Sequence, residues 1–206
     1  SLLPRFIPEF LNKYPGIKLN VQELKTEDMI EALRTDRIDV GIAATPLQEK
    51  GIVEVPLYYE PFMAFVPDYH VMNNDDFLLA SELNANDMLL LNEGHCFRNS
   101  VLKICQTELN PDQRINMESG SFDTLIKLAH RGMGMTLLPY LNTLDLNDKY
   151  RKGIKPIAEP TPTREVSLLF SRTQLKQEWI KAMGDTITAA LPKKLLEKAA
   201  NVISPA

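Results

Sequence analysis

The sequence predicts an α/β fold divided between two Rossmann-like sub-domains with a central cleft. Three observations carry that prediction. Helix-period and strand-period patterns alternate along the chain. The helical stretches run to roughly ten to fifteen residues between short apolar strands, the pattern of crossover units on a largely parallel sheet. The strands outnumber what one short sheet holds, and Pro160 and Pro162 mark a stiff connector between two bodies.

The elements follow in order. "LLPRFIPEFLNKY" places Leu2, Leu3, Phe6, Ile7, Phe10 and Leu11 on one helical face. Pro4 suits a first turn, whereas Pro8 removes a backbone donor and makes the helix start irregular. "IKLNVQEL" alternates as a strand. "TEDMIEALRTDR" reads as a helix capped by Thr26, with Glu27 and Asp28 where the helix dipole favours acids. "IDVGIAAT" is a buried strand. "VEVPLYYEPFMAFVPD" holds two strand-like runs separated by Pro61, and "NDMLLLNEG" is a further short strand ending in a turn. "SVLKICQTEL" is a helix with Val101, Leu102, Cys105 and Leu109 on one face, and "INMESG" a strand. "SFDTLIKLAHRGMG" is the clearest helix: Ser121 caps it, Phe122, Leu125, Ile126 and Ala129 line its apolar face, and Gly132 stops it. "MTLLP" and "REVSLLFS" are late strands. The stretch from Gln174 to Ile203 reads as mostly helical, with Leu195, Leu196 and Ala199 near one face. The chain is expected to cross between sub-domains near "AFVPD" and return near "PTPTREV". The first sub-domain then comprises 1–66 and 166–206, and the second 67–165.

Composition narrows the function. The 206 residues are 44% apolar and 24% charged, as in a soluble globular protein, and a net charge of −4 argues against a nucleic-acid-binding surface spread over the whole chain. No apolar run approaches the roughly 18 residues of a membrane helix, and no basic-then-apolar signal segment opens the chain. Its opening, "SLLPRFIPEF", reads as the middle of a longer polypeptide. Only two cysteines are present, too few for a disulfide-built secreted scaffold, so a reducing cytoplasmic setting is expected.

The chemistry-bearing motifs are few. "GMGMT" lacks the spacing of a phosphate loop and follows a helix, so it reads as a helix stop. His70, His95 and His130 are scattered, and no metal-ligand spacing is present. His95 and Cys96 are adjacent, and neighbouring side chains diverge, which disfavours a nucleophile–base pair.

Cys96 and Cys105, nine residues apart, remain. On one continuous helix they would rise by ~13.5 Å and face opposite ways, their Cα atoms roughly 14 Å apart. A disulfide requires about 4.4–6.8 Å. A bond between them therefore demands that the segment unwind, the physics of a switch. Cys105 reads as buried. Cys96 follows a polar turn at a helix start, near His95 and Arg98, a setting that favours the thiolate. On residues alone two readings stand: a peroxide-sensing pair and two unremarkable thiols.

A resemblance adds to this. "LLPRFIPEFLNKYPGIKLNV", "ALRTDRIDVGIA", "VPLYYEPFMAFVPDYH" and "GMGMTLLP" resemble the effector-binding half of LysR-type transcriptional regulators over nearly the whole chain. "LNEGHCFRNSVLKIC" is similar to the peroxide-sensing branch of that family, with its GHC, an arginine two residues on and a second cysteine nine residues after the first. The resemblance implies a periplasmic-binding-protein-like fold (type 2) and a stoichiometric redox sensor in place of an enzyme. It makes Cys96 the peroxidatic cysteine and Cys105 the resolving one, joined by a reversible disulfide. Thr26, His95, Arg98 and Asn99 would line the peroxide pocket. It implies no cofactor and no metal. The partners it implies are a second copy of the chain, a tetramer when full-length, promoter DNA through an N-terminal winged helix-turn-helix, RNA polymerase and hydrogen peroxide as signal, with no membrane. Two positions depart from the pattern: Asn99 stands where the branch often has Asp, and Ser171, followed by Arg172, where it has arginine. The family's effector-binding half opens with a strand and a polar turn bearing another pocket threonine, and this chain starts just past them. The rival readings are a LysR-type domain binding a small organic effector, a solute-binding protein of the same fold and a thiol peroxidase.

Overall fold

The computed structural model describes residues 1–105, 107, 109–110 and 118–205. In chain order the elements are α1 (Leu3–Lys13), α2 (Thr26–Arg34), β1 (Gly41–Thr45), β2 (Ile52–Phe65), β3 (Leu90–Leu91), α3 (Cys96–Cys105), β4 (Glu118–Ser119), α4 (Phe122–His130), β5 (Thr136–Pro139), α5 (Tyr140–Leu144), α6 (Asp148–Arg151), β6 (Ile154–Pro156), β7 (Thr163–Ser171) and α7 (Gln177–Ala189). Two compact units result: residues 1–59 with 165–199, and residues 60–164 with 200–206. The chain changes unit inside β2 and again inside β7.

In the first unit β7 runs between β1 and β2, and β1 pairs with β7 antiparallel from Gly41↔Leu169 to Thr45↔Glu165. Met29, Ile30 and Leu33 of α2 pack with Ile52 and Leu169. α1 buries Phe6 and Phe10, two of the six residues on the face the periodicity singles out, and Tyr14 at its end meets the Trp179 ring of α7 edge-on at 5.6 Å. The α2 helix opens differently from the expected Thr26 cap. Lys25 holds the cap position, its carbonyl accepting from Met29 N, and Thr26 is already helical. The expected strand over 17–24 is absent. A strand needs a hydrogen-bonded neighbour as well as an alternating face. Residues 17–22 and Leu24 instead border a cavity of about 470 Å³ together with Val40–Ile42 and parts of α1 and α7.

In the second unit β2 is flanked by β5 and β6, both antiparallel, with Phe62↔Pro139 and Phe65↔Thr136 on one side and Phe65↔Ile154 on the other. Among the described residues the parallel pairings are β3–β4 and single bridges such as Met88↔Met135. The expectation of a largely parallel sheet is thus corrected: hydrophobic patterns locate strands, whereas pairing direction is set by tertiary contacts. Pro61 does not split β2. It lies just before Phe62, the first residue paired to β5, so its missing N–H takes no bond from that ladder. Phe62, Phe65, Leu78, Leu90, Phe97, Leu125, Leu137 and Leu138 form the core.

α4 matches its expected span, burying Leu125, Ile126 and Ala129. Gly132 at φ +94° ends it in the left-handed region that glycine enters without strain. Ser121 occupies the cap position without a side-chain cap bond, and its N–H donates to Ser119 Oγ at 3.2 Å. Of the expected strand 115–120, residues 115–117 lie outside the described residues, and the rest supplies β4.

The C-terminal stretch is less helical than expected. α7 stops at Ala189, two residues of turn lead into Pro192, and one 3₁₀ turn over Lys193–Leu195 follows. Residues 200–206 then belong to the second unit, not the first. Thr163 N donates to Asn201 O (2.9 Å), Ile203 N to Thr163 O (2.8 Å), and Ile203 packs against the second unit's core.

Candidate functional site

The second unit carries the two cysteines at the two ends of α3. A tight turn leads in: Asn92 N donates to Ser119 O, His95 N to Asn92 O, and Gly94 sits at φ +83°, where other residues are strained. Arg98 N then donates to His95 O at 2.9 Å, so the helix begins at Cys96, four residues earlier than the apolar pattern alone indicates. Phe97, Val101, Ile104 and Cys105 recur at helical spacing and are all buried.

Phe97 is the anchor. Its ring lies 5.0 Å from that of Phe62, tilted by 30°, and 5.0 Å from that of Phe122, edge-on at 89°. The Arg164 guanidinium carbon stands 5.4 Å from the Phe97 ring centre. Arg164 in turn donates from Nε (2.9 Å) and Nη2 (2.6 Å) to Glu60 Oε2, and Glu60 Oε1 accepts from Leu141 N at 2.7 Å. Glu60 is wholly buried.

The first turn of α3 brings Cys96, Arg98 and Asn99 together, with His95 just before it. His95 and Asn99 are exposed and Cys96 is half-buried. Arg98 is buried at 7% exposure, and its Nη1 donates to Leu91 O at 3.1 Å. The guanidinium thus ties the helix start to β3, a structural duty the local sequence did not signal. The Cys96 carbonyl accepts from Ser100 Oγ at 3.3 Å. Thr26 opens α2 in the first unit, and Ser171 in that unit is within 2.9 Å of Thr173 Oγ1 through its hydroxyl.

Both thiols are free, and α3 is continuous between them. Nine residues of helix separate them by ~13.5 Å along the axis, beyond disulfide reach. Burial, and secondarily the Asp87 carboxylate, pushes the Cys105 thiol from 9.0 up to about 12. At pH 7 roughly one molecule in 10⁵ then carries the thiolate, so Cys105 is no nucleophile while it stays in place. A pH dependence follows from this shift. The folded state holds the Cys105 proton more tightly than the unfolded chain does. The corresponding stability is complete below pH 9.0 and is lost as pH rises toward about 12, by at most about 1.4 kcal/mol per pH unit. Cys105→Ala removes that slope. Urea unfolding of both proteins from pH 8 upward checks it, and parallel curves would refute the assignment.

Sequence reasoning missed Phe97 and the Glu60–Arg164 pair. The available signal for Glu60 was a lone carboxylate inside the apolar run "YYEPFMAF". Among the described residues no group of three or more His, Cys, Asp or Glu could hold a metal ion, and no helix is long and apolar enough to cross a membrane.

The chain and its fold have counterparts. The chain belongs to the LysR substrate binding domain family, which matches residues 1–192, and its fold is the type 2 periplasmic-binding-protein-like α/β fold. Within the family it is similar to peroxide regulators. It is 31% identical over 171 residues, 82% of this chain and 56% of the relative, to the hydrogen peroxide-inducible genes activator of Haemophilus influenzae. The structure of OxyR from Porphyromonas gingivalis matches with a TM-score of 0.89 at 26% identity, covering 98% of this chain and 92% of that one. The reduced form of the OxyR regulatory domain from Pseudomonas aeruginosa matches with a TM-score of 0.78 at 28% identity, over 91% of each chain. The chain spans between 56 and 61% of the length of the curated relatives it matches first.

Proposed function

We propose that this chain is the redox-sensing regulatory half of an OxyR-like transcription factor, and that its two units are the family's two regulatory sub-domains. The observation that carries the reading is the placement of the thiols on one helix, half-buried Cys96 at its first residue and buried Cys105 at its last. The relatives' names supply the signal, hydrogen peroxide.

The chemistry has two steps. The Cys96 thiolate attacks one peroxide oxygen: an S–O bond forms, the O–O bond breaks, and the departing hydroxide takes a proton to become water. Cys96 is now a sulfenic acid. Cys105, once released from its seat, attacks the Cys96 sulfur: the S–S bond forms, the S–O bond breaks, and the leaving hydroxide combines with the Cys105 proton as a second water. Sulfur loses two electrons and peroxide gains them. Of the residues the family resemblance offers for the peroxide pocket, Thr26, His95, Arg98 and Asn99, the last three lie with Cys96 in the second unit and are the proposed peroxide contacts. Closing the bond undoes α3, and Phe97 lies next to Cys96, so the second unit's core must rearrange. In the whole protein that rearrangement would be read out through the arrangement of subunits, the attached DNA-binding domain on promoter DNA, and RNA polymerase. The proposed protein is a cytoplasmic sensor used once per oxidation, not a turnover enzyme.

The test is a peptide map of the folded, reduced protein after a few equivalents of peroxide. A crosslink between the Cys96 and Cys105 peptides is expected, reversed by dithiothreitol and absent in Cys96→Ser. A folded wild-type protein that forms no such crosslink sinks the proposal.

A further inference from the structure

The far end of α3 carries a contact that the two-cysteine scheme does not use. Thr107 follows Cys105 by two residues. Its hydroxyl donates to the Cys105 carbonyl at 2.9 Å and accepts from Ala85 N at 3.0 Å. Helix-terminal carbonyls have no partner within the helix, and here a side chain fills that need. Ala85 is fully buried, so its N–H depends on this acceptor in place of water. Nearby, Asn110 N donates to Asn86 Oδ1 at 2.7 Å. The receiving 3₁₀ turn, Ala85–Asp87, is itself preset, because Asn84 Oδ1 accepts from Asn86 N at 2.9 Å. One short side chain that donates and accepts through a single oxygen thus holds the resolving-cysteine end of the helix to a fixed turn.

We propose that Thr107 is a positioning residue for disulfide closure: its hydroxyl latches the Cys105 end of α3 to the Asn84–Asp87 turn, and opening of that latch sets how fast Cys105 reaches oxidised Cys96. The inference rests on the redox reading above and names the element that controls its second step. Asp87, whose charge helps keep the Cys105 thiol protonated, belongs to the same turn. Leaving the turn therefore frees the thiol sterically and removes a neighbouring negative charge at once. The latch acts on the second step alone, since nothing in it touches Cys96.

Three variants test this. In a Cys96→Ser background, native-state alkylation of Cys105 by N-ethylmaleimide reports opening of the helix end without any peroxide. Thr107→Val, which keeps the shape and loses the hydroxyl, is expected to speed it by roughly five- to a hundredfold, the range of the two neutral hydrogen bonds it removes. Thr107→Ser is expected to stay near the parent rate. With Cys96 restored, the first step, followed by trapping the sulfenic acid with a cyclic 1,3-diketone, is expected to be unchanged in Thr107→Val. Closure accelerates by the same factor. The reduction potential of the pair moves negative by about 20 to 60 mV, that factor converted at 29.6 mV per tenfold. A threonine that merely stabilises both redox states leaves the potential where it was. An unchanged alkylation rate in Thr107→Val, an unshifted potential, or a Thr107→Ser protein that behaves like the valine variant each overturns the latch. If the wild-type protein forms no disulfide at all, the sensing reading falls and takes the role in closure with it. The alkylation ratio then shows whether Thr107 still clamps the helix end.

Discussion

Glu60→Ala is expected to lower the stability of the protein by about 3 kcal/mol, near the lower end of what breaking a buried ion pair costs. The carboxylate is wholly buried and serves three donors: Arg164 Nε, Arg164 Nη2 and Leu141 N. Removing it deprives the N–H at the start of α5 of its acceptor and takes the counter-charge from a guanidinium whose side chain is only 20% exposed. That residual exposure lets water recover part of the loss, which is why the lower end applies. The pair is not worth as much as its rupture costs, because both charges also lost their hydration on folding. The double variant Glu60→Leu, Arg164→Met is therefore expected to be more stable than Glu60→Ala alone. Denaturant unfolding of the two singles and the double closes the cycle. A loss below about 1 kcal/mol for Glu60→Ala contradicts the reading.

Local signals in the chain were enough to locate α1, α2 and α4. α4 is legible because Leu125, Ile126 and Ala129 repeat at helical spacing and Gly132 can take a positive φ that stops the helix. The family motifs around Cys96 are equally local. What the sequence withheld is long-range. Glu60 and Arg164 are 104 residues apart, so their pairing leaves no trace in any window. The alternation over residues 17–24 describes a face and not a neighbour, and without a neighbour no strand forms. Arg98 looked like a cation beside a thiol. A guanidinium buried this far needs an acceptor, and it found the Leu91 carbonyl. The start of α3 was read too late because "GHCFRN" is polar, while the helix is opened by a backbone bond from Arg98 N to His95 O that no side-chain pattern encodes.

Phe97→Ala tests how the core and the proposed switch are coupled. Phe97 is 4% exposed and sits between the Phe62 and Phe122 rings, so truncation leaves a cavity in the centre of the second unit. A loss of about 3 to 5 kcal/mol is expected for the reduced protein, measured by denaturant unfolding under dithiothreitol. The second consequence depends on the proposed chemistry. Cys96 and Cys105 have ~13.5 Å of helix to close, and the immediate neighbour of Cys96 is wedged between two rings. If oxidation pulls Phe97 from that seat, the oxidised form has already lost what the substitution removes, and only the reduced form is weakened. The disulfide is then favoured, and its potential falls by about 60 mV for each 3 kcal/mol borne by the reduced state alone. Equilibration of both proteins with glutathione buffers measures this. A large stability loss with an unmoved potential would mean that Phe97 keeps its seat in both states. The rearrangement would then have to be confined to the part of α3 beyond it, from Arg98 to Cys105. The pair of measurements therefore locates the hinge: a shifted potential places it before Phe97, and an unshifted one after it.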